Sequence, residues 1–142
     1  ISIREPFALM HLDLDFFKAV NDTLGHAAGD LVLQTVASSM LDETRSCDTV
    51  ARIGGDEFVI LVRGISDQKR LHKIGTRIIK RLSTPIEFDG QICEVSASIG
   101  TALSQDYTKP LADQMLGDAD LALYQSKRGG RGLHTFFSTA LQ

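Results

Sequence analysis

Two apolar runs, Thr49-Val50-Ala51-Arg52-Ile53 and Phe58-Val59-Ile60-Leu61-Val62, are separated only by Gly54-Gly55-Asp56-Glu57. So short a separation between β-prone runs predicts an antiparallel hairpin with a tight turn. A turn of this kind normally carries solvated residues and no chemistry. This one sets two carboxylates beside two glycines, where a ligand can approach the backbone closely. Such a turn suits a metal-assisted phosphate site.

The rest of the chain supplies a frame for that hairpin. Phe7 to Leu14 is a nearly continuous apolar run, which predicts a central strand covered on both faces. Phe16 to Val20 reads as a short helix, and Asn21 to Gly25 as turn chemistry. Leu33, Val36, Ala37, Met40 and Leu41 recur at helical spacing and predict a helix over about residues 27–43. Leu71, Ile74, Ile78 and Leu82 carry another helix, whose other face holds Lys69, Arg70, Lys73, Arg77, Lys80 and Arg81. That charge run reads as a solvated face. Pro85 ends this helix. A second hairpin follows, with strands over 86–88 and 92–103 around Asp89-Gly90. A helix over 111–127 is stopped by Gly129-Gly130. A short last strand covers 133–137. The order β-α-α-β-β-α-β-β-α-β predicts an α/β (α+β) sandwich: a mostly antiparallel central sheet flanked by helices.

The chain has 142 residues, for which one domain over 1–142 is expected. The net charge is −3 and the pI about 5.7, which argues against a nucleic-acid groove. Cys47 and Cys93 have no CxxC or Cys/His company, and both are expected to be buried thiols in a reducing compartment. No run approaches the length of a membrane helix, and no signal peptide is visible. A cytoplasmic domain without direct membrane contact is expected. The chain opens without Met, so it is expected to be a fragment of a longer multidomain protein whose other parts could anchor in a membrane. His11, His26, His72 and His134 form no metal spacing, and neither a serine-hydrolase elbow nor a P-loop is present.

Asp13 and Asp15 end the first strand on one side of it. An acid there costs free energy to bury unless it is paired. Capping or turn formation is one reading. A hard cation shared with Asp56 and Glu57 is the other, and carboxylate oxygens suit Mg²⁺. Asn21 and Asp30 read either as turn and early-helix residues or as readers of guanine, whose N1–H and N2–H can both donate to a carboxylate. Lys127 and Arg131 either complement a helix C-terminus or grip a triphosphate.

Together these residues resemble the GGDEF domain of diguanylate cyclases. The resemblance runs through Asp13-Leu14-Asp15-Phe16-Phe17-Lys18, Asn21-Asp22, Gly25-His26, Gly29-Asp30, Arg52 with Gly54 to Phe58, Val95 to Gly100, Ala119-Asp120, Ala122-Leu123-Tyr124 and Lys127. It implies a fold similar to nucleotide cyclases and polymerase palms. It also implies condensation of two GTP molecules into cyclic di-GMP with release of two pyrophosphates. By resemblance, Asp13, the Leu14 carbonyl and Asp56 hold Mg²⁺ or Mn²⁺. Glu57 assists at the metal or takes the 3′-hydroxyl proton, and Lys18 joins the catalytic group. Asn21 and Asp30 read guanine, and Phe17 and Lys18 line the phosphate pocket. Lys127 and Arg131 meet the outer phosphates, and Gly54 and Gly55 admit the nucleotide to the backbone. Two domains must face each other as a two-fold homodimer.

The resemblance also implies a product-inhibition site for cyclic di-GMP at Arg45-x-x-Asp48, supported by Arg77. The family's usual lead-in segment is absent ahead of the first strand, and Gly132 stands where Asn is usual. Residues 85–100 resemble GGDEF domains fused to a phosphodiesterase (EAL) domain. The alternative reading is a non-catalytic GTP- or cyclic di-GMP-binding module that regulates such an attached domain.

Overall fold

The apolar run near the start of the chain becomes the middle strand of a sheet. In the computed structural model, residues 5–138 are described; the outer parts of the expected 1–142 unit, 1–4 and 139–142, lie outside the described residues. The elements are β1 (Phe7–Asp15), α1 (Phe17–Leu24), α2 (His26–Glu43), β2 (Thr49–Gly54), β3 (Glu57–Arg63), α3 (Gln68–Leu82), β4 (Ile86–Phe88), β5 (Gln91–Cys93), β6 (Ser96–Leu103), α4 (Ala112–Arg128) and β7 (His134–Phe136). A 3-10 turn, Ser104–Asp106, follows β6. The main sheet has five strands in the order β2-β3-β1-β6-β7. All its pairs are antiparallel except β6 with β7. The expected mixed α/β sandwich is the observed one.

β1 is apolar throughout because both of its faces are covered. Ala8, Met10, Leu12 and Leu14 join the main core with residues from α1, α2 and α3. On the other face Leu9 packs with Ala102 of β6 and with Met115 and Ala119 of α4. β2 lies at the sheet edge and is mostly exposed. α3 starts where the Asp67 carboxylate accepts from the Lys69 N–H at 2.9 Å, capping a free helix donor. Its basic face is exposed as expected, although Arg77 and Arg81 turn to Glu43 and Asp42 at the end of α2. No helix among the described residues is long and apolar enough to cross a membrane.

Three expectations are corrected. The strand expected over 92–103 is divided: β5 stops at Cys93, and β6 starts at Ser96. Ser96 pairs with Asp15, the last residue of β1, so beyond that point the main sheet offers no ladder partner. β4 and β5 form a separate two-stranded sheet instead. Asn21 belongs to α1, which runs on to Leu24, and Gly25 (φ 91) makes the break between α1 and α2. Of the two cysteines, Cys93 is buried but Cys47 is exposed.

α4 packs directly on the backbone of β6. A Cβ at Gly100 would lie 2.1 Å from both the Ala119 carbonyl oxygen and the Leu123 nitrogen. Neither is the end of a flexible side chain, so neither can move aside cheaply. Gly100→Ala is expected to destabilise the fold by about 3 kcal/mol, the upper part of the usual overpacking range, as read by urea denaturation.

A second consequence concerns pH. His134 of β7 has its Nε2 2.6 Å from the Thr101 hydroxyl and its Nδ1 2.9 Å from Nδ1 of His72. Burial, with a further contribution from the His72 charge, pulls its pKa down from 6.5 to about 4. The unfolded chain therefore binds the proton first as pH falls. Stability present above pH 6.5 is lost on the way down to about pH 4, on the order of 3 kcal/mol in all. Unfolding curves across that window should be flatter for His134→Gln than for the native chain.

Candidate active site

The site forms where β1 ends beside the β2–β3 turn and the last turn of α4. Gly54 pairs with Glu57, so the turn itself is Gly55-Asp56. Gly55 has φ 44, the left-handed region that glycine adopts without strain. The Arg52 Nε–H donates to the Gly55 carbonyl at 2.8 Å and holds the turn from below. The Leu14 N–H donates to the Asp56 carbonyl at 3.1 Å and ties the turn to the end of β1. Nothing among the described residues lies within 4 Å of where a Cβ would stand on Gly54 or Gly55, so the backbone is open to a ligand.

Asp13 lies opposite Glu57 in the β1–β3 ladder. Its Oδ2 accepts an ion pair from Lys127 on α4. Its Oδ1 is buried and has no hydrogen-bond partner among the described residues. The Asp56 carboxyl is held above its ordinary range, first by burial and then by the charge of Asp13, with Lys127 opposing. A buried carboxylate oxygen without a donor is costly, and a hard divalent cation is the partner that would satisfy it. No three His, Cys, Asp or Glu side chains gather into a metal-binding group among the described residues. A cation here would therefore draw on two carboxylates, the nearby backbone and outside oxygens. That donor set fits a cation that keeps waters and shares itself with phosphates.

Asp15 has the opposite surroundings. It is fully buried and fully partnered. Ser98 Oγ donates to Oδ2 at 2.8 Å, the Gly132 N–H at 3.2 Å, and Arg131 Nη1 reaches Oδ1 at 3.2 Å. Asp15 thus anchors the loop after α4. Arg131 (φ 66) also sets its guanidinium 5.8 Å from the centre of the Phe16 ring. Lys127 and Arg131, expected on outer phosphates, are here paired with Asp13 and Asp15.

The remaining expected residues fall around this centre. Phe17 opens α1, but its ring is buried in the main core, so its own offering to a ligand is backbone. Lys18 is exposed on the first turn of α1. Asn21 faces α2 so closely that a Cβ on Gly29 would sit 1.8 Å from its Oδ1. Gly29 therefore allows the Asn21 amide its place, and Asp30 follows it, exposed, on α2. Sequence reasoning weighed Gly29 only as part of a motif.

Arg45 and Asp48 do come together, away from this centre. Arg45 Nη2 donates to Asp48 Oδ1 at 2.8 Å and its Nε–H to Oδ2 at 3.1 Å. Burial alone would raise the Asp48 carboxyl, but its hydrogen bonds from Arg45 and the Arg63 N–H hold it low. Arg77 does not join them. Its guanidinium pairs with Glu43 at 2.6 Å.

Ionised Asp56 is disfavoured in the folded state, and at neutral pH that penalty is present in full. Asp56→Asn should therefore raise the melting temperature of the metal-free chain at pH 7, with the gain vanishing in acid. A lower melting temperature for the variant would contradict this electrostatic picture.

Known proteins carry the same sequence pattern and shape. The family model for the GGDEF domain of diguanylate cyclases matches residues 2–133. The chain is 43% identical to the probable diguanylate cyclase DgcE of Escherichia coli, over 96% of this chain and 12% of that protein. It is 41% identical to the diguanylate cyclase TpbB of Pseudomonas aeruginosa, over 91% of this chain and 30% of that protein. The chain thus spans less than a third of the length of these two relatives. The solved GGDEF domain of TpbB (YfiN) from Pseudomonas aeruginosa superposes with a TM-score of 0.91 at 37% identity, over 97% of this chain and 80% of that one. The GGDEF domain of DgcB from Caulobacter crescentus, solved in complex with c-di-GMP, superposes at 0.86 with 29% identity, over 93% and 78%. This chain belongs to the family of diguanylate cyclase GGDEF domains.

Proposed function

We propose that this chain is a diguanylate cyclase that condenses two GTP molecules into cyclic di-GMP and releases two pyrophosphates. The observation that carries the proposal is the Asp13 carboxylate. It has one oxygen on Lys127 and one buried without a partner among the described residues, directly beside the open Gly54-Gly55 turn and Asp56. A purely structural acid would be satisfied in the way Asp15 is.

Asp13 and Asp56, with the Leu14 carbonyl, would hold Mg²⁺ or Mn²⁺. When bound, that ion would neutralise charge on the triphosphate and lower the barrier to attack at the α-phosphorus. The bare backbone at Gly54 and Gly55 lets the phosphates lie against the turn. Lys18, Lys127 and Arg131 supply positive charge around them. Lys127 would have to exchange Asp13 for phosphate as substrate enters. Asn21, set in place by Gly29, and Asp30 would read the guanine edge; adenine would leave their polar atoms unpaired. The 3′-oxygen of one GTP attacks the α-phosphorus of the other, pyrophosphate leaves, and the 3′-hydroxyl proton passes to Glu57. Each chain would contribute one GTP, so the reaction needs a two-fold pair of chains. Cyclic di-GMP would bind back at Arg45 and Asp48. Arg77, now on Glu43, would swing toward it.

The test is incubation of the chain with GTP and Mg²⁺ over a range of protein concentrations. Cyclic di-GMP should form, with specific activity rising with concentration as pairs assemble. Asp56→Ala should abolish turnover while Arg45→Ala leaves it intact and relieves product inhibition. Binding of GTP or cyclic di-GMP without turnover at any concentration would instead make the domain a regulatory binding module.

A further inference from the structure

Glu57 leans on a buried histidine. Its Oε1 lies 3.0 Å from Nε2 of His11, which sits on β1 two residues before Asp13 and is 4% exposed. On the far side of the ring, Nδ1 lies 3.4 Å from Oδ1 of Asp120 on α4. The side chains of Glu57 and Asp120 are 45% and 64% exposed. His11 is thus a buried link between two carboxylates that both reach water.

The arrangement is built into the frame. In the β1–β3 ladder His11 pairs with Val59 and Asp13 with Glu57, so His11 and Glu57 are diagonal neighbours within reach of each other. His11 shares its face of β1 with Leu9, which packs on Met115 and Ala119 of α4. Packing alone would favour another apolar side chain there. The histidine instead leaves Nδ1 buried without a hydrogen bond among the described residues, which is destabilising. A carboxylate oxygen can only accept, and Nε2 at 3.0 Å from Glu57 makes a hydrogen bond where Nδ1 at 3.4 Å from Asp120 makes none, so Nε2 carries the proton.

We propose that His11 is a positioning residue for Glu57. Its Nε2–H holds the Glu57 carboxylate in one orientation beside the Asp13–Asp56 pair. The role rests on the reading of Glu57 as the proton acceptor in the proposed reaction. An exposed glutamate otherwise samples several rotamers, and restricting it to one raises the fraction of encounters in reactive geometry.

Two variants and one spectrum test this. His11→Leu removes the donor and keeps the bulk; His11→Gln keeps a donor at about the same reach. With GTP and Mg²⁺, the leucine variant should lose about 10- to 100-fold in kcat with KM for GTP little changed. The glutamine variant should recover most of that loss. In the metal-free protein, ¹⁵N NMR of the imidazole should show Nε2 protonated, with its resonance moved by Glu57→Ala. Native kcat in a folded His11→Leu would overturn the proposal while leaving the cyclase reading in place. Equal losses in both variants, or a bare Nε2, would do the same. If the leucine variant does not fold, the glutamine variant and the wild-type ring spectrum decide. A wild-type chain that makes no cyclic di-GMP overturns the cyclase reading and this role with it, whatever the spectrum shows.

Discussion

α4 lies against the bare backbone of β6 at Gly100, where a methyl group would stand 2.1 Å from two α4 backbone atoms. Ser126 strengthens the contact by donating its hydroxyl to the Ile99 carbonyl at 2.9 Å. The partners that α4 and the loop after it bring to β1 depend on this approach. It brings Lys127 to Asp13 and Asp120 to His11. It also fixes the start of the loop that returns Arg131 and Gly132 to Asp15. A helix standing a side chain's width further off would leave buried acids on β1 without cations, and such acids would be protonated or exposed instead.

Asp13 and Asp15 show how two identical residues on one face can have different tasks. Asp15 is surrounded by a hydroxyl, a backbone N–H and a guanidinium, and its charge is answered within the fold. Asp13 has Lys127 on one oxygen and, among the described residues, no partner on the other; it lies close enough to a second acid, Asp56, to raise that acid's pKa. The strain is electrostatic and local. The fold tolerates it because the main core, on the opposite face of β1, is apolar and closely packed. Stability and the unsatisfied charge are kept on different sides of the same strand.

Much of this was legible beforehand because it is written in short-range pattern. The hairpin around Gly54 to Glu57 follows from two β-prone runs with no room between them for anything else. The helices over α2, α3 and α4 follow from apolar spacing and from Pro85 and Gly129 as stops. Where strand length depended on a partner, pattern failed. The run from Ile92 to Leu103 reads as one strand, yet β6 can begin only where β1 still pairs with it. Arg77, which the family resemblance sets beside Arg45 and Asp48, is paired with Glu43, a contact that no local pattern announces. Cys47 reads as core and is exposed. His11 carried no signal at all, since a lone histidine in an apolar strand has no spacing partner.

Residue order alone determined the kinds of groups present and their local shapes: a glycine turn flanked by acids, a strand ending in Asp-x-Asp, and a helix with Lys127 in its last turn. Family membership is likewise carried by those ordered segments. Tertiary structure decided which acid is satisfied and which is left open. Lys127 and Asp13 are 114 residues apart in the chain, and Arg131 and Asp15 are 116 apart. Backbone propensity and periodicity act over a few residues, whereas pairing across such distances is set by how closely one helix can settle on one strand. At Gly100 that distance is decided by the absence of a single methyl group.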